Sequence, residues 1–145
     1  MQKMNEAVLL LGSNIDPVKN LKKALNLLNK MSNVVVVSRV YKTKAVGMDG
    51  PDFLNQAVMI ETDLNMTEIK SDLIAPIEYK LKRIRTADKY APRPIDIDLI
   101  LFNSEIIDQK MWEFKFIALP LNDILPDIEK PLDGRKIKDI LAELK

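Results

Sequence analysis

The chain has 145 residues, 47% of them apolar and 30% charged, which is enough for one domain with a true core and too little for two. Its 22 basic and 21 acidic side chains leave a net charge of +1, excluding the global field that drives nonspecific binding to nucleic acid or anionic membrane. With no cysteine and no histidine there is no disulfide, thiol nucleophile or imidazole base, so a metal would need oxygen ligands and would be magnesium or manganese. The first residues, Met1 to Glu6, lack the basic start and apolar stretch of a signal peptide, and no apolar run approaches the ~18 residues of a membrane span. These features predict a soluble cytoplasmic protein.

Ala7 to Leu11 is a short apolar run stopped by Gly12-Ser13-Asn14 and reads as a buried first strand. Asp16, followed by Pro17, predicts the start of a helix whose apolar positions are Val18, Leu21, Leu25 and Leu28. The β-branched run Val34 to Tyr41 predicts a second strand, and Lys42 to Pro51, with two glycines, a loop. Phe53 to Thr62 predicts a third strand, with Leu54, Val58 and Ile60 on one face and Phe53, Asn55, Ala57 and Met59 on the other. Asn65 and Glu68 form a capping pair for a second helix bearing Ile69, Leu73, Ile77, Leu81 and Ile84, which Pro76 should kink. Shorter elements follow around Phe114 to Ile117, Leu121 to Ile124 and Ile137 to Leu144.

Between these segments lies the run from Arg93 to Phe102, where Asp96 and Asp98 interrupt an otherwise apolar strand. Alternation puts Ile95, Ile97, Leu99 and Leu101 on one face and both aspartates on the other. Two carboxylates about 7 Å apart repel by roughly 2 kcal/mol at an effective dielectric near 20, so water, an arginine or a cation should hold them ionised. Arg83, Arg85 and Arg93 lie just upstream, and carboxylates beside guanidiniums suggest a hard metal beside phosphate oxygens. Taken alone, an Asp-x-Asp strand is more often a solvated polar face, paired arginines a helix terminus, and Glu78 a surface charge. The order strand, helix, strand, strand, helix, strand predicts an α+β ferredoxin-like sandwich, an antiparallel sheet with helices on one face.

Lys89-Tyr90-Ala91-Pro92-Arg93-Pro94-Ile95-Asp96-Ile97-Asp98-Leu99-Ile100 resembles the signature of the 6-hydroxymethyl-7,8-dihydropterin pyrophosphokinase family. Leu11 to Asn14 is similar to that family's opening motif, Tyr41 to Gly47 to its first loop, and Pro51 to Val58 to its pterin-side strand. Ile77-Glu78 and Arg83-Ile84-Arg85 also fall in family order, so the resemblance runs from Ala7 to about Ile140 with one interruption. It implies transfer of pyrophosphate from ATP to the pterin hydroxymethyl group, with two magnesium ions held by Asp96 and Asp98 as cofactors. It further implies phosphate binding and catalysis by Arg83 and Arg93, assisted by Arg85, and nucleotide contacts by Glu78 and Leu99. Phe53 and Phe116 would sandwich the pterin, Asn55 would read its edge with Thr43, Lys44 and Val46, and Tyr90 would cover the site as a lid. The implied partners are these small molecules, with no nucleic acid and no membrane, and a monomer is expected with a dimer as the alternative.

The chain departs from the family pattern in two places. A Pro-His-Pro-like stretch with a further arginine is missing, since only Glu113, Phe114 and Lys115 separate Trp112 from Phe116, and Ala75 stands where a nucleotide-holding glutamine is common. One buried charge-assisted contact contributes ~1.5 to 3 kcal/mol, so the alternative is a weak or inactive pterin- or nucleotide-binding homologue that has lost part of its ATP clamp. An RNA-binding module is disfavoured by neutral charge and the lack of a stacking platform.

Overall fold

The first strand, β1 (Asn5–Ser13), is buried on both faces from Ala7 onward, and that double burial sets the architecture. Ala7, Leu9 and Leu11 enter one hydrophobic cluster, Val8 and Leu10 a second on the opposite side. A strand apolar on both faces has to be central and covered twice. The computed structural model describes residues 4–44, 52–82 and 94–145. In it β1 lies between β4 (Phe53–Thr62) and β5 (Asp96–Phe102), in a sheet ordered β2-β4-β1-β5-β6 with every pairing antiparallel. β2 is Asn33–Val37, β6 is Glu105–Ile106, and the short β3 (Tyr41–Thr43) pairs with β4 alongside β2.

Helix α1 (Pro17–Met31) and the run α2 (Met66–Glu68), a π-helical stretch (Ile69–Ile74) and α3 (Ala75–Lys80) cover the first face. Helices α4 (Lys115–Ile124) and α5 (Ile137–Ile140) cover the second through Ile117, Leu121, Ile137 and Ile140. The expected ferredoxin-like order is therefore present, but helices on one face only is corrected. Val8, Leu10, Met59 and Ile100 would otherwise present an apolar sheet surface to water.

Other expectations are corrected locally. The strand over Val34 to Tyr41 is broken into β2 and β3 at Ser38, whose Oγ accepts the Ala57 N–H at 2.8 Å in place of a ladder carbonyl. Asp16 precedes α1, but at φ 41° its backbone is left-handed and its carboxylate makes no capping bond. Val18 points outward, 72% exposed, while Leu21, Ala24 and Leu28 face the sheet. The capping box of Asn65 and Glu68 forms as read, with bonds of 3.0 and 2.9 Å.

Pro76 lacks an N–H and crowds the carbonyl four residues back. The helix meets this with the π-helical stretch just before it, where the Ala75 N–H bonds the Lys70 carbonyl five residues back and Ile69, Leu73 and Ile77 stay in one buried line. The segments around Phe114 to Ile117 and Leu121 to Ile124 are one helix, α4, continuous through a buried Pro120. Finally, β5 carries an extra residue against β1: Leu99 pairs with Leu9 and Leu101 with Val8, leaving Ile100 bulged between them. The bulge puts Leu101 with Ile100 in the second cluster instead of on the face of Ile97 and Leu99.

Candidate active site

Register brings the polar residues of three strands into line. Gly12 on β1 lies opposite Asn55 on β4 and Asp96 on β5, while Leu10 lies opposite Ala57 and Asp98. On the far side of β4, Tyr41 faces Asn55 and Thr43 faces Phe53. Residues directly opposite on neighbouring strands share a face. Leu10, Met59 and Ile100 identify it as the face under α4.

Gly12 makes the floor of this row. A Cβ there would stand 3.1 Å from Asn55 Oδ1 and 3.8 Å from Phe53 Cδ1, so glycine leaves open a space that any other residue would occupy. Asn55 is 3% exposed and held in place by donating from Nδ2 to Thr43 Oγ1 at 2.7 Å. Phe116 lies near the start of α4, half-buried against the second cluster, with its ring centroid 5.6 Å from that of Phe114. Phe53, Asn55, Thr43 and Phe116 are thus brought to one side of the sheet, and Lys44 is exposed just beyond β3. From the sequence Gly12 reads as one of the residues that stop the first apolar run. Its signal was available, because a glycine ending an apolar alternation inside a strand marks a close approach.

The outer edge of β5 is built differently. β6 pairs with Leu101 and Phe102, and among the described residues no strand lies beside the earlier part of that edge. Glu78 of α3 is 4% exposed, and its Oε2 accepts the N–H of Ile97, the residue between the two aspartates, at 3.1 Å. A helix carboxylate thereby does the work of a strand carbonyl. Along this edge is a cavity of about 360 Å³ lined by Lys70, Ala75, Glu78, Asp98, Leu99 and Asp108 among others. The stretch after β6 forms a 3-10 turn (Gln109–Trp112) that buries Met111 and Trp112.

Asp96 is half-buried beside Gly12, whereas Asp98 is exposed and lines the cavity. The pair thus belongs to both compartments. Two carboxylates on alternate positions of one strand suit a hard cation that keeps water and ligand oxygens in its coordination. Among the described residues no three acidic, histidine or cysteine side chains converge, so the described carboxylates alone would not complete a cage. Beside the slot, Asp123 of α4 accepts from Arg39 and Tyr41, and the bonds from Arg39 hold its carboxyl below the usual carboxylate range. Burial, then the bond to Asp123, pushes the Tyr41 hydroxyl up. Of the candidate site residues named from the sequence, Val46, Arg83, Arg85, Tyr90 and Arg93 lie outside the described residues, as does Ile84, expected on the second helix.

An antiparallel sheet with a slot on one side of a carboxylate pair and a cavity on the other suits a protein that brings two ligands together at β5. The model of the 7,8-dihydro-6-hydroxymethylpterin-pyrophosphokinase family matches residues 8–126, and the chain belongs to that family. It is 39% identical to the 2-amino-4-hydroxy-6-hydroxymethyldihydropteridine pyrophosphokinase of Bacillus subtilis over 87% of this chain and 81% of that one. The protein of the same name from Synechocystis is 32% identical over 99% of this chain and 78% of that one. A crystal structure of Plasmodium falciparum HPPK-DHPS with pteroate is similar at a TM-score of 0.78 and 17% identity, covering 99% of this chain and 43% of that one. That likeness supports the ferredoxin-like fold. No helix among the described residues is long and apolar enough to cross a membrane.

Proposed function

We propose that the face under α4 carries out the family's reaction, transfer of pyrophosphate from ATP to the hydroxymethyl group of 6-hydroxymethyl-7,8-dihydropterin in folate synthesis. The observation that carries this reading is the row Asn55, Gly12, Asp96, which sets an amide suited to a heterocycle edge one strand from a carboxylate pair. The relatives bear pyrophosphokinase names, and no observation favours the inactive alternative.

In this reading the pterin lies over Gly12 between Phe53 and Phe116, flat against aromatic faces. The Asn55 amide, oriented by Thr43, pairs with the ring's donors and acceptors, with Lys44 and Val46 alongside. The nucleotide takes the cavity on the outer edge of β5, beside Leu99 and Lys70. Glu78, assigned from the sequence to ATP, lines that cavity and also holds the backbone between Asp96 and Asp98. Arg83, Arg85 and Arg93 bind phosphates and Tyr90 covers the site.

The pterin hydroxyl oxygen forms a bond to the β-phosphorus of ATP, the bond from that phosphorus to the bridging oxygen of the α-phosphate breaks, AMP departs and the hydroxyl proton is lost. Asp96 and Asp98 would hold magnesium, two ions in the fullest reading, which when bound neutralises the triphosphate and aligns it. Chemistry of this kind depends on alignment and electrostatics, so a chain without histidine is no worse equipped for it. We read the protein as a cytoplasmic monomer acting on two small molecules, in keeping with a chain without cysteine.

Incubation with ATP, magnesium and the hydroxymethyl dihydropterin, followed by chromatography, tests the proposal. AMP and pterin diphosphate in equal amounts are expected; ADP as the nucleotide product, or no conversion with pterin bound, would overturn it.

A further inference from the structure

Asp123 stands about two turns beyond Phe116 on α4 and collects more hydrogen bonds than any role so far explains. Its Oδ2 accepts from the Arg39 backbone N–H at 3.0 Å and from Arg39 Nε at 3.1 Å. Its Oδ1 accepts from Arg39 Nη2 at 3.0 Å and from the Tyr41 hydroxyl at 2.7 Å. The carboxylate side chain is only 13% exposed, and the guanidinium it binds lies 5.7 Å from the Tyr41 ring centroid.

Arg39 lies in the break between β2 and β3, and Tyr41 is the first residue of β3. β3 is three residues long, and among the described residues β4 is its strand neighbour. Tyr41 and Thr43 are nevertheless the residues opposite Asn55 and Phe53, and Thr43 is what orients the Asn55 amide. So short a strand has few ladder bonds to hold it in place. α4, by contrast, is anchored independently by Ile117, Ala118 and Leu121 in the second cluster. The helix does not need Asp123 to stay on the sheet, whereas the short β3 is tied to the helix through Tyr41 and the adjacent Arg39. The same helix carries Phe116.

We propose that Asp123, acting through Arg39 and Tyr41, is a positioning residue for the pterin slot, clamping the β3–β4 wall to the helix that carries Phe116. This rests on the pterin reading above. The clamp acts on one substrate only, because Asp123 lies on α4 with Arg39 and Tyr41 as its partners and is not among the residues that line the cavity at the outer edge of β5. A bidentate guanidinium–carboxylate pair gives direction as well as attraction, which a lysine in place of Arg39 would not supply.

The test is Asp123→Asn, with Asp123→Glu and Tyr41→Phe beside it. Calorimetric affinity for the hydroxymethyl dihydropterin, KM for each substrate and Tm are measured. Asp123→Asn should weaken pterin binding roughly 10- to 100-fold, the scale of an ångström-level misplacement, and raise the pterin KM alike. The KM for ATP should stay within about twofold, and Asp123→Glu should recover part of the pterin affinity. Unchanged pterin affinity, or an equal rise in both KM values, would overturn the clamp. If Asp123→Asn does not fold, Tyr41→Phe, which removes one hydroxyl, decides: a selective loss of pterin affinity supports the clamp and none overturns it. Failure of the unaltered protein to bind the pterin would overturn the functional reading instead.

Discussion

The two flanks of the carboxylate pair are assembled by different means. Toward β1 and β4 the slot is made of strand residues whose backbones are fully paired, so register alone brings Asn55, Gly12 and Asp96 into line. Toward the outer edge of β5, before the β6 pairing begins at Leu101, no strand lies alongside among the described residues, and Glu78 reaches from a helix to accept the Ile97 N–H. A ladder of many weak bonds tolerates the loss of any one of them, whereas a single buried carboxylate does not. The first flank should therefore fail by losing space and the second by losing a bond.

Filling the space is the larger effect. Gly12→Val keeps a strand-compatible backbone but puts branched carbon against Asn55 Oδ1, already 3.1 Å from a bare Cβ. Overpacking of about 1–3 kcal/mol corresponds to a loss of pterin affinity of roughly 10- to 100-fold, read by calorimetry, with β structure retained by circular dichroism. Intact pterin affinity in a folded Gly12→Val protein would mean that the ring does not lie over Gly12.

Removing the bond on the other flank should act on stability and turnover together. Glu78→Ala leaves the Ile97 N–H without its acceptor, at about 1–3 kcal/mol, lowering Tm by several degrees. kcat should fall while pterin affinity is unchanged, and Glu78→Gln should recover much of both because it keeps an acceptor. A pterin affinity that falls with kcat would show that the flanks are not separable.

The smallest effect is that of pH on the clamp. Asp123 is held below its ordinary value by the bonds from Arg39, so its contribution is complete above the unfolded carboxylate value of about 4 and is lost as pH falls through the folded value. The stability difference between the unaltered protein and Asp123→Asn, from denaturant titrations, should be level at neutral pH and shrink below about pH 4. A difference that grows on acidification would contradict the assignment.

What the sequence made legible follows how local each signal is. β4 has the bounds that alternation predicted, and the Asn65–Glu68 box formed as read, because each depends on residues within a few positions. The helices of the second face were harder to see. α4 is short, and Pro120 removes the helical bond to the Phe116 carbonyl, so its segments read as two. The bulge at Ile100 was invisible because it exists only against β1. Within the site, Asp96, Asp98, Phe53 and Asn55 stood out by residue type and strand parity. Asp123 did not, since its partners Arg39 and Tyr41 are more than eighty positions away and only the fold joins them.

The most direct measurement is a parallel one on Asp96→Asn: pterin affinity by calorimetry and AMP formation from ATP by chromatography. If the carboxylate pair serves the transfer step and the Gly12 row serves the pterin, the variant binds the pterin as the unaltered protein does and forms AMP at least about a thousandfold more slowly. AMP formation at the unaltered rate would contradict the placement of the reaction at β5.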